Sequence, residues 1–317
     1  MKKIKIKEKF AGERIDKFLH KTLVSISRSQ LQKLIKDEYI LVNDKNVSTH
    51  YVLKEDDTIA IKKTTNMPEI KKISEKKRKQ PPLTIIDETN EYIIINKPAG
   101  VIVHGAPGIK EKTLVDTLLQ KYPSLSKIGE DPQRPAIVHR LDKDASGLMV
   151  IPKTQDSFDN LKKQFQKRTI NKKYIVLVYG EILKEADEIR FPIRRSSAGY
   201  KMAALPKTVK MEKNKEGKIA ISEFKIIKKF INYTLIEVKI KTGRTHQVRV
   251  HMSAYGHPLV GDNLYGTQKT KEANKKLNMT RIFLVADELG FTDLQGIKRN
   301  YKIDLPEELK GLMKKIK

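Results

Sequence analysis

Apolar residues recur along the chain with two periods, and the changes of period mark out its elements. Ile15, Phe18 and Leu19 are spaced i, i+3, i+4, which predicts a short helix opening at Arg14. Ser27-Arg28-Ser29-Gln30 is a capping-box arrangement, in which the Ser27 hydroxyl takes the Gln30 amide and the Gln30 side chain reaches back. The helix that follows buries Leu31, Leu34 and Ile35 and leaves Arg28, Gln32, Lys33 and Lys36 outward. Tyr39 to Lys45 reads as a strand ending in Asn43-Asp44, two residues that tolerate the left-handed conformation of a tight turn. Thr58-Ile59-Ala60-Ile61 is a further strand.

From Lys62 to Pro82 the pattern lapses into lysine runs and prolines, the signature of an extended, self-repelling linker. Tyr92 to Asn96 is an apolar strand, Lys97-Pro98-Ala99-Gly100 a turn, and Val101-Ile102-Val103-His104 a second short strand. Thr113 caps a helix carrying Leu114, Val115, Leu118 and Leu119. Thr154 precedes another, with Phe158, Leu161 and Phe165 on one side; its acids come early and its bases late, as the helix dipole favours. Lys173 to Gly180 is apolar enough for a central strand, and Tyr233 to Ile240 alternates cleanly. Thr242-Gly243-Arg244-Thr245 turns into a helix from His246 to about Tyr255, stopped by Gly256 and Pro258. Arg281 to Ala286 is a last core strand, and a basic amphipathic helix begins near Pro306. Strands outnumber helices without regular alternation, which predicts an α+β fold with a mixed sheet.

At 317 residues the chain has room for about two domains. A formal net charge of +27 favours a polyanionic partner, nucleic acid before an anionic membrane surface. No apolar run approaches the roughly 20 residues of a spanning helix, and Met1 to Lys5 lacks the apolar core of a signal peptide. With no cysteine there is no disulfide, thiolate zinc site or thiol nucleophile, and a cytoplasmic protein is expected.

Two polar islands sit in apolar surroundings. One is Val138 to Val150, where His139, Arg140 and Asp142 precede Asp144 and a turn pair, Ser146-Gly147. The other is Gly243 to His251, where His246, Arg249 and Ser253 share a helix face. An arginine from the second paired with Asp142 explains a carboxylate held near a core, and such a pair serves structure or chemistry equally. Five histidines lie in this half, but no His-Glu-x-x-His spacing supports a metal hydrolase, and no Gly-Lys-Ser/Thr loop supports nucleotide hydrolysis. A histidine-based RNA nuclease and a non-catalytic RNA-binding protein are the other readings open to these residues.

Two resemblances narrow the choice. The first is carried by Glu13 to Ile61, which resembles the αL-motif RNA-binding domain of the S-four ribosomal protein type. The likeness implies that Arg14, Arg28, Ser29, Lys33 and Lys36 face RNA phosphates. That family often has glycine where this chain has Glu38 and Asp44, a departure that bears on turn geometry. The second is carried by Asn96-Lys97-Pro98-Ala99-Gly100, His139 to Asp144, Lys173-Tyr174, Thr242 to His251, Gly256 to Asp262 and Tyr265-Gly266. In this order they resemble the RluA-type pseudouridine synthases, RluD/RluC branch.

This second likeness implies a mixed, largely antiparallel central sheet with the cleft across it, and isomerisation of uridines in large-subunit ribosomal RNA without cofactor or metal. By the same likeness Asp142 is the essential carboxylate, acting by attack at C1′ or through a glycal route. Arg249 keeps it ionised, Tyr174 packs against the base and assists proton removal, Arg140 and His139 contact RNA, and Leu259 lines the pocket. Asp144 is left a loop-stabilising role. Ala145, Val285 and the Phe291-Thr292-Asp293 stretch depart from the family pattern and touch none of the Asp, Tyr or Arg positions. The domains expected are 1–61 for RNA binding, 62–82 as basic linker and 83–317 for catalysis, in a monomer without membrane contact; the alternative is a ribosome-associated RNA-binding protein without catalysis.

Overall fold

The computed structural model describes residues 2–23, 28–62, 82–105, 111–196, 199, 201–205 and 217–316. Side chains of residues 28–30, Arg28 and Ser29 among them, Ser27 and nearly all of the expected linker lie outside that description. The chain divides into two compact units, Met1–Lys79 and Gln80–Lys317.

In the first unit, β1 (Lys2–Lys5), β2 (Ile40–Val42) and β3 (Thr58–Ile61) form an antiparallel sheet in the order β1-β3-β2. Helices α1 (Ile15–Thr22) and α2 (Arg28–Lys36) bury the expected faces: Ile15, Phe18, Leu19, Leu31, Leu34 and Ile35 join Ile6, Ile40 and Ile59 in one core. Strand β1 was not legible in the sequence. Glu38, Asn43 and Asp44 take φ of 60°, 50° and 59°, so the non-glycine residues noted above do occupy left-handed positions. Arg14 is held inside its own unit. Its guanidinium closes on buried Asp16 (2.9 Å), which also accepts from Gln32 (2.7 Å), so it is committed within the unit. Lys33 and Lys36 are exposed.

The second unit opens with β4 (Thr84–Glu88), β5 (Tyr92–Lys97), α3 (Leu114–Lys121), β6 (Ser146–Pro152), α4 (Gln155–Lys167) and β7 (Asn171–Tyr179). There follow β8 (Ala186–Ile189), β9 (Ile193–Arg195), β10 (Met202–Ala204), β11 (Ser222–Lys229), β12 (Tyr233–Ile240) and α5 (Gln247–Ala254). The last elements are α6 (Gln268–Lys276), β13 (Leu284–Thr292), β14 (Lys298–Lys302) and α7 (Glu307–Lys315).

The main sheet runs β4-β5-β6-β13-β7-β12-β11-β8, with β14 added on β13. All its pairings are antiparallel except β6 with β13, which shares only Val285↔Ser146 and Ala286↔Gly147. Backbones approach closely there: a Cβ on Gly147, whose φ is +124°, would lie 2.2 Å from the Ala286 carbonyl oxygen. Ser146-Gly147 is therefore strand, and the turn expected there falls at Lys143-Asp144.

Helix α3 packs Leu114 and Leu118 with Ile93, Ile95, Met149 and Ile151. Its N-cap Thr113 exchanges hydrogen bonds with Asp116 in a capping box. Leu161 and Phe165 of α4 pack with Tyr92, Ile94, Leu148 and Val150, and Leu309 and Leu312 of α7 with Leu177, Leu235 and Phe283. Two expectations change. Val101 to His104 is not a strand, because its carbonyls are taken elsewhere: Ile102 and Val103 accept the first amides of α3, and Val101 accepts from Lys97 Nζ. The last core strand starts at Leu284 rather than Arg281 and runs on to Thr292; the Arg281 side chain donates to Ser146 Oγ (2.7 Å) and the Leu284 carbonyl (3.3 Å).

Asp287 lies at the β13 bulge, 3% exposed, with Oδ1 lacking a hydrogen-bond partner among the described residues. Burial, aided by the charges of Glu237 and Glu288, pushes its carboxyl up to about 6. A carboxyl raised in the folded state makes ionisation cost stability above that pH, and the cost vanishes below the unfolded value. Asp287→Asn is expected to raise the unfolding free energy at pH 8, read from urea titration, by roughly 2–3 kcal/mol at most, with the gain fading as pH falls from 6 to 4. An equal gain at both ends of that range, or a loss at pH 8, contradicts this account.

Candidate active site

A cleft of 490 Å³ opens in the second unit between the loop before β6, the end of α4, β7 and the β12–α5 turn. Arg134, Arg140, Lys162, Arg168, Lys172, Lys241 and Arg244 line it, and among the described residues Asp142 is the one carboxylate on its wall. Such a lining favours a polyanion.

Asp142 is held from below. Lys97, at the end of β5, is wholly buried; its Nζ donates to the carbonyls of Pro98 (2.8 Å), Val101 (2.9 Å) and Lys143 (3.2 Å). The Gly100 amide also reaches the Lys143 carbonyl (2.7 Å). The Asn-Lys-Pro-Ala-Gly turn and the Asp142 loop are thus tied as one block. Burial, with Arg281 adding to it, draws the Lys97 ammonium down to about 7 against the opposing charges of Asp142 and Asp144. Asp144 faces a second cavity of 350 Å³ shared with Arg249 and Arg281.

Arg249 is brought to Asp142 by α5, with Nη1 to Oδ2 at 3.4 Å; the two side chains are 7% and 14% exposed. Its main partner is a different acid. Nε and Nη2 make a bidentate pair with Asp262 at 2.7 and 3.0 Å, and Asp262 also accepts the amides of Leu264 and Tyr265. Burial works against the Arg249 charge, but Asp262 outweighs it and holds the guanidinium well above its ordinary value. The α5 face noted in the sequence converges on Tyr265. His246 Nδ1 meets its hydroxyl (2.8 Å), the Arg249 guanidinium lies over its ring (5.1 Å), and Ser253 donates to its carbonyl (2.9 Å). Gly261 permits this loop, since a Cβ there would lie 2.0 Å from the Arg281 carbonyl oxygen. Asp262 and Tyr265 were quoted in a motif without a role; that motif was their only signal in the sequence.

Tyr174 lines the cleft from β7. Burial first, then the Asp142 charge, raises its hydroxyl far above the usual phenol range, so it is protonated at neutral pH. Arg140 is exposed on the cleft wall. His139 is on the wall too, but its Nε2 accepts the Val150 amide (3.0 Å) and its ring stacks on Phe165 at 4.7 Å. Burial, then the charge of Lys172, holds it neutral. Leu259 is not on the cleft wall as expected. It is 1% exposed in the core and bridges Val178, because the Gly-His-Pro-Leu stretch pairs with the end of β7. His251 and His257 are taken up by Ser222, the Phe191 carbonyl and the Tyr179 carbonyl.

Comparison with known proteins places both units in known families. The RNA pseudouridylate synthase family profile matches residues 91–254, and the S4 domain profile matches 13–59. An uncharacterized RNA pseudouridine synthase of Aquifex aeolicus is 37% identical over 95% of this chain and 92% of its own. A ribosomal large subunit pseudouridine synthase D of Zymomonas mobilis is 33% identical over 98% and 96%. Among solved structures, human RNA Pseudouridylate Synthase Domain Containing 4 superposes with a TM-score of 0.59 at 23% identity, covering 74% of this chain and 94% of its own; this last supports the fold.

Proposed function

The chain belongs to the RNA pseudouridylate synthase family, and from that premise we propose that it isomerises specific uridines of large-subunit ribosomal RNA, with Asp142 as the essential carboxylate. The observation that carries the residue assignment is Asp142 itself: the one carboxylate among the described residues lining the cleft, paired with Arg249 and sharing the wall with Tyr174. The ribosomal substrate is supported by relatives named for the large subunit, such as that of Zymomonas mobilis.

The reaction breaks the bond from C1′ to N1, turns the released uracil and joins C5 to C1′; the C5 proton leaves and N1 gains one. The uridine must leave the helical stack to expose these atoms. Asp142, paired with Arg249, serves C1′ either by direct attack or by assisting a glycal route. Tyr174 meets the base as a neutral phenol. For it to help remove the C5 proton, its own proton needs an acceptor, and Asp142 is the carboxylate at hand. Arg140 contacts the RNA and fills the space the uridine leaves.

The first unit acts as the RNA-binding module, with Lys33 and Lys36 on α2 toward phosphates and Arg28 and Ser29 at its start. The domain limits 1–61, 62–82 and 83–317, a monomeric state and a cytoplasmic location free of membrane contact belong to the same reading. Loss of the gene should erase pseudouridine at defined large-subunit positions, and the wild-type gene alone should restore it. An rRNA map unchanged by the loss sinks the proposal in favour of a non-catalytic RNA-binding role. Changing Lys33 and Lys36 together to glutamine is expected to flatten the log–log salt slope of RNA binding by about 1.4–1.8. An unaltered slope removes α2 from the RNA interface.

A further inference from the structure

Neighbouring lysines on β7 have opposite fates. Lys173 points to one side of the strand and is paired with Glu288 (3.0 Å) and Glu237 (3.9 Å). Lys172 points to the other, into the cleft, and has no carboxylate partner among the described residues. Its ammonium lies 5.0 Å from the Phe165 ring centroid and 3.8 Å from the place a Cβ on Gly243 would take. His139, on which the Lys172 charge acts, is neutral, and Arg168 and Arg244 on the same wall are cations. Burial lowers the Lys172 ammonium to about 8, the direction expected of a charge withdrawn from water without an anion. The fold thus keeps a partly desolvated cation in the cleft without a carboxylate paired to it among the described residues, at a cost that an entering anion relieves.

The position of Lys172 identifies that anion. Alternate residues of a strand face the same side, so Lys172 and Tyr174 look into one cleft, roughly 6.5–7 Å apart along β7. Tyr174 shares the cleft wall with Asp142 and feels its charge, and Lys172 is one step away along β7. That step is comparable with the reach from a ribose C1′ at the reacting centre to a phosphodiester next to it. We propose that Lys172 binds the RNA phosphodiester flanking the flipped uridine and so anchors the strand in the cleft. This deepens the proposed function and rests on it.

The test uses the full chain, wild type, Lys172→Met and Lys172→Arg, with an in vitro transcript of the organism's large-subunit rRNA. Dissociation constants across a KCl series, single-turnover pseudouridine formation at saturating enzyme and thermal midpoints are measured. Lys172→Met is expected to bind roughly tenfold more weakly, with a salt slope shallower by about 0.7–0.9. Its saturating rate should fall far less than its affinity, its midpoint should hold or rise, and Lys172→Arg should regain most of the affinity. Wild-type affinity and slope in Lys172→Met overturn the proposal, as does weaker binding with an unchanged slope. So does a fall in thermal midpoint that arginine repairs without regaining affinity, which is the mark of a structural lysine. If the wild type makes no pseudouridine on this RNA, the functional reading fails by itself, while the slopes still decide whether Lys172 meets a phosphate.

Discussion

Asp142→Asn is expected to lower pseudouridine formation by at least about 10⁴-fold, equivalent to roughly 5.5 kcal/mol of transition-state stabilisation. Asparagine keeps the size and hydrogen-bonding reach of the side chain and loses only the charge and the nucleophilic oxygen. It therefore isolates the chemistry from the packing. The fold should tolerate it. Arg249 keeps its bidentate bond to Asp262, and the loop keeps its ties to Lys97 and Gly100. A thermal midpoint within about 2 °C of wild type is expected. The check is pseudouridine mapping on rRNA incubated with each protein, beside a melting curve. A variant that still modifies RNA at the wild-type rate removes Asp142 from the mechanism.

Asp262→Ala should show the reverse balance, losing stability first. It strips the buried Arg249 guanidinium of its two short hydrogen bonds and leaves the Leu264 and Tyr265 amides without their acceptor. Breaking a buried pair by removing one partner costs about 3–5 kcal/mol. The remaining carboxylate within reach of Arg249 is Asp142 at 3.4 Å, so the freed guanidinium should close on the reactive group. Activity should then fall even below the unfolding temperature, where the variant is still folded. Urea unfolding and single-turnover rates measured together separate the two effects. Wild-type stability in this variant would mean that the Arg249–Asp262 pair is dispensable to the fold.

Much of this was legible in the sequence, and the exceptions have physical causes. The faces of α1 and α2, the central β7 and the α5 entry through Thr242 to Thr245 follow from spacing, because burial there is periodic. The meeting of Asp142 and Arg249 was legible as two polar islands needing a partner. Asp262 was not, because its role depends on Gly261 taking a left-handed turn that aims a loop carboxylate back at α5. Lys97 reads as an ordinary turn lysine, and only the fold reveals three carbonyls around its ammonium. Val101 to His104 has the composition of a strand, but its carbonyls were already claimed by α3 and Lys97. Leu259 took its expected place from a motif likeness, and its burial beside Val178 is set by an isolated bridge that no local pattern announces.

The two shared residue pairs between β6 and β13 have a wider consequence. They join two antiparallel halves, one carrying Asp142 just ahead of β6, the other carrying Tyr174 on β7 and leading to Arg249 on α5. The alignment of the reacting groups is therefore a property of a joint and belongs to neither half. Gly147, Ala286 and the Arg281–Ser146 bond lie off the described cleft wall, yet they hold the joint at which the halves meet. Tolerance to change in this chain should follow that joint, narrow along it and broad within each half.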